Sequence, residues 1–344
     1  EHLLEVGDEP DRVHGVARES PADLVVDAAV HHRIEGDRGV LGLGRAAAAV
    51  LDVDQDALDA AAGTGKWVIA KAGLHKLPAT LRIPGGLTLA GEGILTKLYL
   101  DPEAGMRDAM VNAQDDLNNI TIRDLVIEGS VRPEPPNDPN SVRSYRNPGN
   151  RGGIIFRAQR EGQMKNIELI NTTVQNCTYN GVFIGGATGV RVTRCDFNEN
   201  GSSVVPGPKL QHNLLLTHCS DVTVQDSRLD TSPYGSGIAL DQCGNAKITG
   251  NEIARNAYYG VLVMESKNVQ VTGNFIEGND RSGVMVEFQY RGSENIRVEK
   301  NQIQFNDGHP VESYGSRTEV AGNTYVRNSR PKEHIVADKI ILMK

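Results

Sequence analysis

One pattern recurring through residues 166–328 constrains the fold more than any other feature of the chain. An apolar-x-apolar pair, usually preceded by Asn or Asp, is followed by a polar residue, then a bulky apolar residue, and three positions later usually Asn. The pairs are Ile167/Leu169, Val190/Val192, Val222/Val224, Ala246/Ile248, Val269/Val271 and Ile296/Val298, with a weaker copy at Ile120/Ile122. From Ile167 onward their first members lie 23, 32, 24, 23 and 27 residues apart. A period this short is one coil of backbone, not a domain.

Each copy holds three short stretches, for example Ala246-Lys-Ile248, Glu252-Ile253 and Gly260-Val-Leu-Val263, with Asn or Gly at the corners. Alternation at period two buries one face, and the copies are too short and too rich in Gly and Asn to be helical repeats. Stacking buries Val, Ile and Leu in one continuous column that a single coil could not form alone, so the chain is predicted to be an all-β solenoid. Two positions before the bulky apolar residue stand Asn251, Asn274, Asn301 and Asn323. Three positions after it stand Asn200, Asn256, Asn279, Asn306 and Asn328. Asn tolerates left-handed backbone and can hydrogen-bond a stacked neighbour, so both sets read as structural turn ladders.

At 344 residues the chain exceeds a typical single domain, but elongated repeat folds escape that size rule. A formal charge of -8 argues against general binding to nucleic acid or to an anionic membrane. No stretch has the length of a membrane span and no signal peptide is visible. The chain begins at Glu1 without Met, which fits a processed N-terminus and a secreted or periplasmic setting. Cys219 and Cys243 fall at one shared strand end on adjacent coils, about 4.8 Å apart in backbone; this permits a disulfide, but two stacked buried thiols are the favoured reading.

The N-terminal part, residues 1–64, reads as an extension with a helical cap. Pro21 to His32 and Arg45 to Ala62 look helical, the second because of its Ala run with Leu51, Leu58 and Ala62 on one side. An open solenoid end exposes apolar core and unpaired strand edges, and residues 45–62 are expected to cover it. The solenoid takes residues 65–328. The tail, residues 329–344, reads as a final cap or as an oligomer contact through Ile335, Ile340, Ile341 and Leu342, which leaves a homo-oligomer open.

From Gly65 the strands Lys66-Trp-Val-Ile-Ala70, Ala79-Thr-Leu-Arg-Ile83 and Leu87-Thr-Leu89 run into Ala90-Gly-Glu-Gly93. The order of helix, Gly turn, "WVIAKAG" and then "LRIPGGLTLAGEG" resembles the opening of the pectate-lyase-like right-handed parallel β-helix superfamily, and the later coils resemble its general repeat. The resemblance covers residues 45–328 and implies a right-handed parallel β-helix with an N-terminal capping helix. It implies no single function, because that superfamily includes polysaccharide lyases, glycoside hydrolases, uronate epimerases, phage depolymerases and proteins without known activity. Nor does it supply a catalytic residue: the Asp-Pro-His-Asp of alginate epimerases is absent, Asn137-Asp-Pro-Asn140 sharing only Asp-Pro. Paired aspartates of the polygalacturonase type are not found in a comparable setting. Calcium is compatible with the resemblance, since lyases of the superfamily often use it, but no compact carboxylate set requires a metal or other cofactor.

Insertions locate the expected working face. Residues 130–152 and 201–211 exceed one coil and fall at the same corner, before the strands Gly153-Ile-Ile-Phe156 and Asn213-Leu-Leu-Leu216. A third, residues 289–294, follows Gly283-Val-Met-Val286. Repeat proteins commonly bind where loops from one column flank one strand column. With Ile154, Val182, Leu214, Ile238, Val261 and Val284 inward, the outward positions three later are Arg157, Gly185, Thr217, Asp241, Met264 and Glu287. Asp241 and Glu287 then share a face two coils, roughly 9 to 10 Å, apart. The next position carries His218, Gln242, Glu265 and Phe288, while Tyr234 and Arg281 lie on the preceding corners.

These residues support three readings. In a polysaccharide lyase, Arg side chains neutralise a uronate carboxylate and His218 or Tyr234 removes the C5 proton. In a glycoside hydrolase, Asp241 and Glu287 act as acid and base with Glu265 in reserve. In the third reading the solenoid only binds glycan or protein and the carboxylates are ordinary surface. Arg143, Arg146, Arg151 and Arg157, with Lys209, His212 and Arg281, form the expected substrate-binding set, because guanidinium groups bind carboxylates or sulfates bidentately. The acid, base and cationic groups together favour an enzyme acting on an acidic or complex polysaccharide, elimination slightly ahead of hydrolysis.

Overall fold

The computed structural model describes residues 54–100, 108–129, 152–201, 211–288 and 291–336, together with the backbone of the short strands Glu5–Asp8, Leu24–Val25 and Val50–Leu51. One coil shows the construction. Gly244–Thr249 lies in a first sheet, Glu252–Ala254 in a second and Val261–Met264 in a third, and Lys267–Thr272 returns to the first sheet one rung on. Among the described residues the three sheets hold 12, 11 and 10 strands, and apart from the N-terminal strand Glu5–Asp8 and its two neighbours every pairing is parallel.

The register follows the repeat. Ile167 pairs with Val190, Val190 with Val222, Val222 with Ala246, Ala246 with Val269 and Val269 with Ile296. These side chains meet the bulky residues of the second sheet and the inward residues of the third in one core that runs the length of the solenoid. Gly260 shows how closely the corners pack: a Cβ there would stand 2.6 Å from Ile276 Cγ2 and 2.7 Å from the Gly283 carbonyl.

Both Asn ladders form as hydrogen-bonded stacks. Asn251 donates to Asn274, Asn274 to Asn301 and Asn301 to Asn323. At the second corner Asn256, Asn279, Asn306 and Asn328 do the same. The left-handed backbone, however, belongs to the residue before each Asn, as at Gly250, Gly273, Lys300, Arg255 and Phe305. That residue turns the chain, which frees the Asn amide to point inward and satisfy carbonyls such as Ile248 O and Ile253 O.

The N-terminal helix is shorter than expected. It spans Gln55–Ala61, starts where the Asp54 carboxylate accepts from the Asp56 N–H, and buries Ala57, Leu58 and Ala61 against the first coils. Val50–Leu51, inside the predicted helix 45–62, is instead a strand pairing with Leu74–His75, so its backbone groups are satisfied by the sheet. Leu24–Val25, inside the predicted helix 21–32, is likewise strand. Strands Gly73–Leu77, Thr96–Leu100 and Asp108–Asn112, which the pattern did not reveal, complete the early coils. At the other end His334–Ile335 adds a last strand to the third sheet.

Candidate functional site

The third sheet presents the outward column read from the repeat. Arg157, Gly185, Thr217, Asp241, Met264 and Glu287 stand in register on successive rungs. One residue further, the chain turns towards the first sheet through His218, Gln242 and Glu265, each left-handed at φ 52°, 52° and 46°. The same backbone recurs at other corners, at Arg194, Asp226 and Lys300 for example, so it marks the architecture and not catalytic strain. Its effect is to swing these three side chains out along the sheet edge. The next residues, Cys219, Cys243 and Ser266, point inward and are buried.

Two open hollows, of ≈ 240 and ≈ 380 Å³, follow this edge and share Glu161 and His218, so they form one groove. Their combined size is that of a small-ligand site. One end is bordered by Arg157, Arg160 and Phe183, the other by Lys267, Arg291 and Glu294. His218, Gln242 and Glu265 line its middle. The Arg157 guanidinium lies 4.9 Å from the centre of the Phe183 ring, a cation–π contact that fixes it at the groove's end. Lys267 is 3.7 Å from Glu294.

Asp241 is a titratable group changed by this setting. Its carboxyl is raised above the ordinary Asp value by burial, opposed by the nearby charge of His218 and reinforced by that of Glu265. The three side chains thus feel one another: an acid that holds its proton more tightly than usual, a second carboxylate and an imidazole. Because Asp241 pairs with Met264, Glu265 lies one rung and one residue away, about 6 Å between backbones.

The expected residues therefore divide into two groups. His218 and Glu265 line the groove, and Asp241 stands just outside it, one residue before Gln242 and in register with Thr217, both of which line it. Glu287 is two rungs from Asp241, and its charge acts on Tyr259 instead. Tyr234 lies at the opposite edge of the third sheet, edge-to-face on Tyr258 with ring centres 6.3 Å apart, so it cannot share a reacting atom with His218. Arg281 lies there too, 4.5 Å over the Tyr258 ring.

His212 corrects the expectation of a sugar contact. It is 3% exposed and its Nδ1 accepts from the Ser236 N–H, while burial lowers its pKa to about 4. It is a neutral corner residue inside the wall. Arg143, Arg146, Arg151 and Lys209 lie outside the described residues.

Sequence reasoning missed Glu161, Lys267 and Arg291, which reach the groove from neighbouring corners and have no repeat signal. It also missed Tyr258, Tyr259 and Glu312, although the Tyr258-Tyr259 doublet precedes Gly260 at the very corner that holds Tyr234 and Arg281. Glu312 accepts from the hydroxyls of Ser282 at 2.7 Å and Tyr314 at 2.9 Å; although burial opposes it, these bonds hold its carboxyl below the usual Glu value. Among the described residues no three His, Cys, Asp or Glu side chains converge as a metal site, so no set for calcium can be named. All four cysteines are free thiols in the wall.

Residues 212–338 match a family model described as a right-handed β-helix region. An adhesin from the surface of Streptococcus pneumoniae, PfbA, aligns at 13% identity over 83% of this chain and 91% of its own, with a TM-score of 0.56. The DFA-IIIase of Arthrobacter chlorophenolicus in complex with GF2 aligns at 14% identity over 79% and 74%, with a TM-score of 0.58. The chain is a right-handed parallel β-helix. The expected likeness to the pectate-lyase-like superfamily holds at the level of fold. The β-helix also superimposes on half of the Dettilon tailspike protein, at 15% identity over 78% of this chain and a TM-score of 0.60. A comparison with curated protein sequences finds no significant match.

Proposed function

We propose that the groove along the third sheet binds a polysaccharide and cleaves it. The observation that carries this reading is an open groove lined by His218 and Glu265 and bordered by cations and an aromatic ring, with Asp241, its carboxyl raised above the ordinary Asp value by burial, immediately beside it. An open groove on an elongated wall suits a chain lying along it, as a closed pocket would not. The fold's likeness to a DFA-IIIase, an adhesin and a tailspike is compatible with a carbohydrate ligand, and a secreted or periplasmic setting goes with it.

Hydrolysis fits these groups best, which reverses the order set by the sequence. Asp241 donates its proton to the glycosidic oxygen as the C–O bond breaks, and Glu265 takes a proton from the water that attacks the sugar carbon. Glu265 thereby replaces Glu287 as partner. His218 stabilises the Asp241 carboxylate left after proton transfer. A second reading, β-elimination, draws on the cations Arg157, Lys267 and Arg291 in the same groove. They would neutralise a uronate carboxylate while His218 removes the C5 proton, without Tyr234.

Incubation with a panel of neutral and acidic polysaccharides tests both. New reducing ends without ultraviolet absorbance, lost in Glu265→Gln, support hydrolysis. Rising absorbance of an unsaturated product, lost in His218→Ala, moves the assignment to elimination. Neither signal on any polymer removes the catalytic reading and leaves glycan binding.

A further inference from the structure

The opposite edge of the third sheet holds a stripe that the cleavage chemistry does not use. Tyr234, Tyr258, Arg281 and His309 occupy the corners entering the third sheet on four successive coils, and His334 opens the strand of that sheet on the fifth; backbone bonds link Tyr258 to Gly235, Arg281 to Tyr258 and Gly308 to Arg281. At about 4.8 Å per coil the stripe is roughly 19 Å long. Its rings make a sequence of contacts: Tyr234 on Tyr258 at 6.3 Å, Arg281 over Tyr258 at 4.5 Å, and His309 stacked on His334 at 5.1 Å.

These side chains are held from beneath. Ala239, Tyr259, Leu262 and Met285 form a second apolar cluster on the outer face of the sheet, separate from the solenoid core, and Tyr258 packs against it. The Arg281 guanidinium also lies 5.9 Å from the Tyr259 ring. Tyr258 is half-buried while Arg281 is exposed. Partly exposed, packed rings beside an exposed guanidinium are suited to a sugar face and to an anionic group that accepts a paired hydrogen bond. The four-residue strands between place this edge on the order of 13 Å from Asp241.

We propose that the Tyr234–Tyr258–Arg281 edge is a separate track that holds an anionic glycan chain without cleaving it. The inference rests on the glycan reading of the groove and adds a second contact line parallel to it. Simultaneous use of both edges would keep a polymer on the surface between cleavage events. A short oligosaccharide in the groove would not reach the track.

Affinity electrophoresis through gels containing alginate, dextran sulfate or a neutral β-glucan tests the track apart from catalysis. The full chain and its Asp241→Asn variant should be retarded equally by an anionic polymer. Alginate and dextran sulfate distinguish carboxylate from sulfate as the anion. Tyr258→Ala combined with Arg281→Gln should weaken this retardation about tenfold. The same double variant should retain wild-type cleavage of short oligosaccharides, and Tyr258→Phe, which keeps the ring, should migrate as wild type. Undiminished retardation in the double variant overturns the track while leaving cleavage in place. Retardation by the neutral glucan alone, or by no gel, also overturns it, whether or not the groove cleaves. Loss of cleavage in Asp241→Asn with retardation intact confirms that the two lines are separate.

Discussion

Replacing Asn274 by Ala should cost far more stability than its single side chain suggests. Its Nδ2 donates to Ile248 O at 2.9 Å and to Asn301 Oδ1 at 3.0 Å, while its Oδ1 accepts from the N–H and the side-chain amide of Asn251, both at 3.0 Å. All of this is buried. The Ala variant loses four bonds and leaves two Asn251 donors without partners and out of reach of water. At about 1 kcal/mol net per bond the cost is about 4 kcal/mol. The exposed ladder on the first sheet is the internal control. Asn268 donates to Asn245 and accepts from Asn295, both at 3.1 Å in the open, with φ 57°. Asn268→Gly, which tolerates that φ, should cost under about 1 kcal/mol, because water replaces the bonds. Guanidinium denaturation followed by far-ultraviolet circular dichroism and by fluorescence gives both midpoints, compared at equal slope. A midpoint for Asn274→Ala shifted no further than that of Asn268→Gly would refute the argument that the buried ladder holds the coils in register.

Further outcomes follow from the same geometry. His212 must stay neutral in the fold, so its contribution to stability is present above pH 6.5 and is lost as the pH falls towards 4. This amounts to on the order of 3 kcal/mol, read as the pH dependence of the denaturation midpoint and reduced in His212→Gln. Asp241 has the opposite sign. Its raised pKa gives stability present below the ordinary Asp value and lost as the pH rises through the folded value, so Asp241→Asn should gain midpoint relative to wild type at neutral pH. Burial raises Cys195 to about 12 and shelters all four thiols. Native protein should therefore resist alkylation, and guanidinium-unfolded, unreduced protein should titrate four thiols. Two fewer would show a Cys219–Cys243 disulfide.

The repeat made the solenoid legible because period-two alternation reports directly which side chains face inward. The pairings of Ile167 through Ile296, the Asn stacks and the outward column from Arg157 to Glu287 all followed from it. The N-terminal helix was overextended because an Ala-rich run satisfies helix propensity, whereas the pairing of Val50–Leu51 with Leu74–His75 depends on a distant strand. The site was less legible for a geometric reason. Corner residues do not alternate, and whether one faces the groove or the wall depends on which neighbour takes left-handed backbone. His218 turns outward at such a position, whereas His212 is enclosed by the next coil through Ser236. One available signal went unread. Third-sheet strands such as Val261–Met264 are apolar without interruption, the mark of burial on both faces, whereas Gly244–Thr249 alternates with Lys247 outward. That difference announces the second apolar cluster under the tyrosine edge.

The central claim is that Asp241, with Glu265 beside it, performs the proton transfers of glycan cleavage while Glu287 does not. Its most direct test is the kcat/KM of Asp241→Asn, Glu265→Gln and Glu287→Gln, side by side on whichever polysaccharide the wild type cleaves. The arrangement predicts a loss of about 100-fold or more in the first two and a change of less than about threefold in the third. Full activity in Asp241→Asn, or a loss confined to Glu287→Gln, would contradict it.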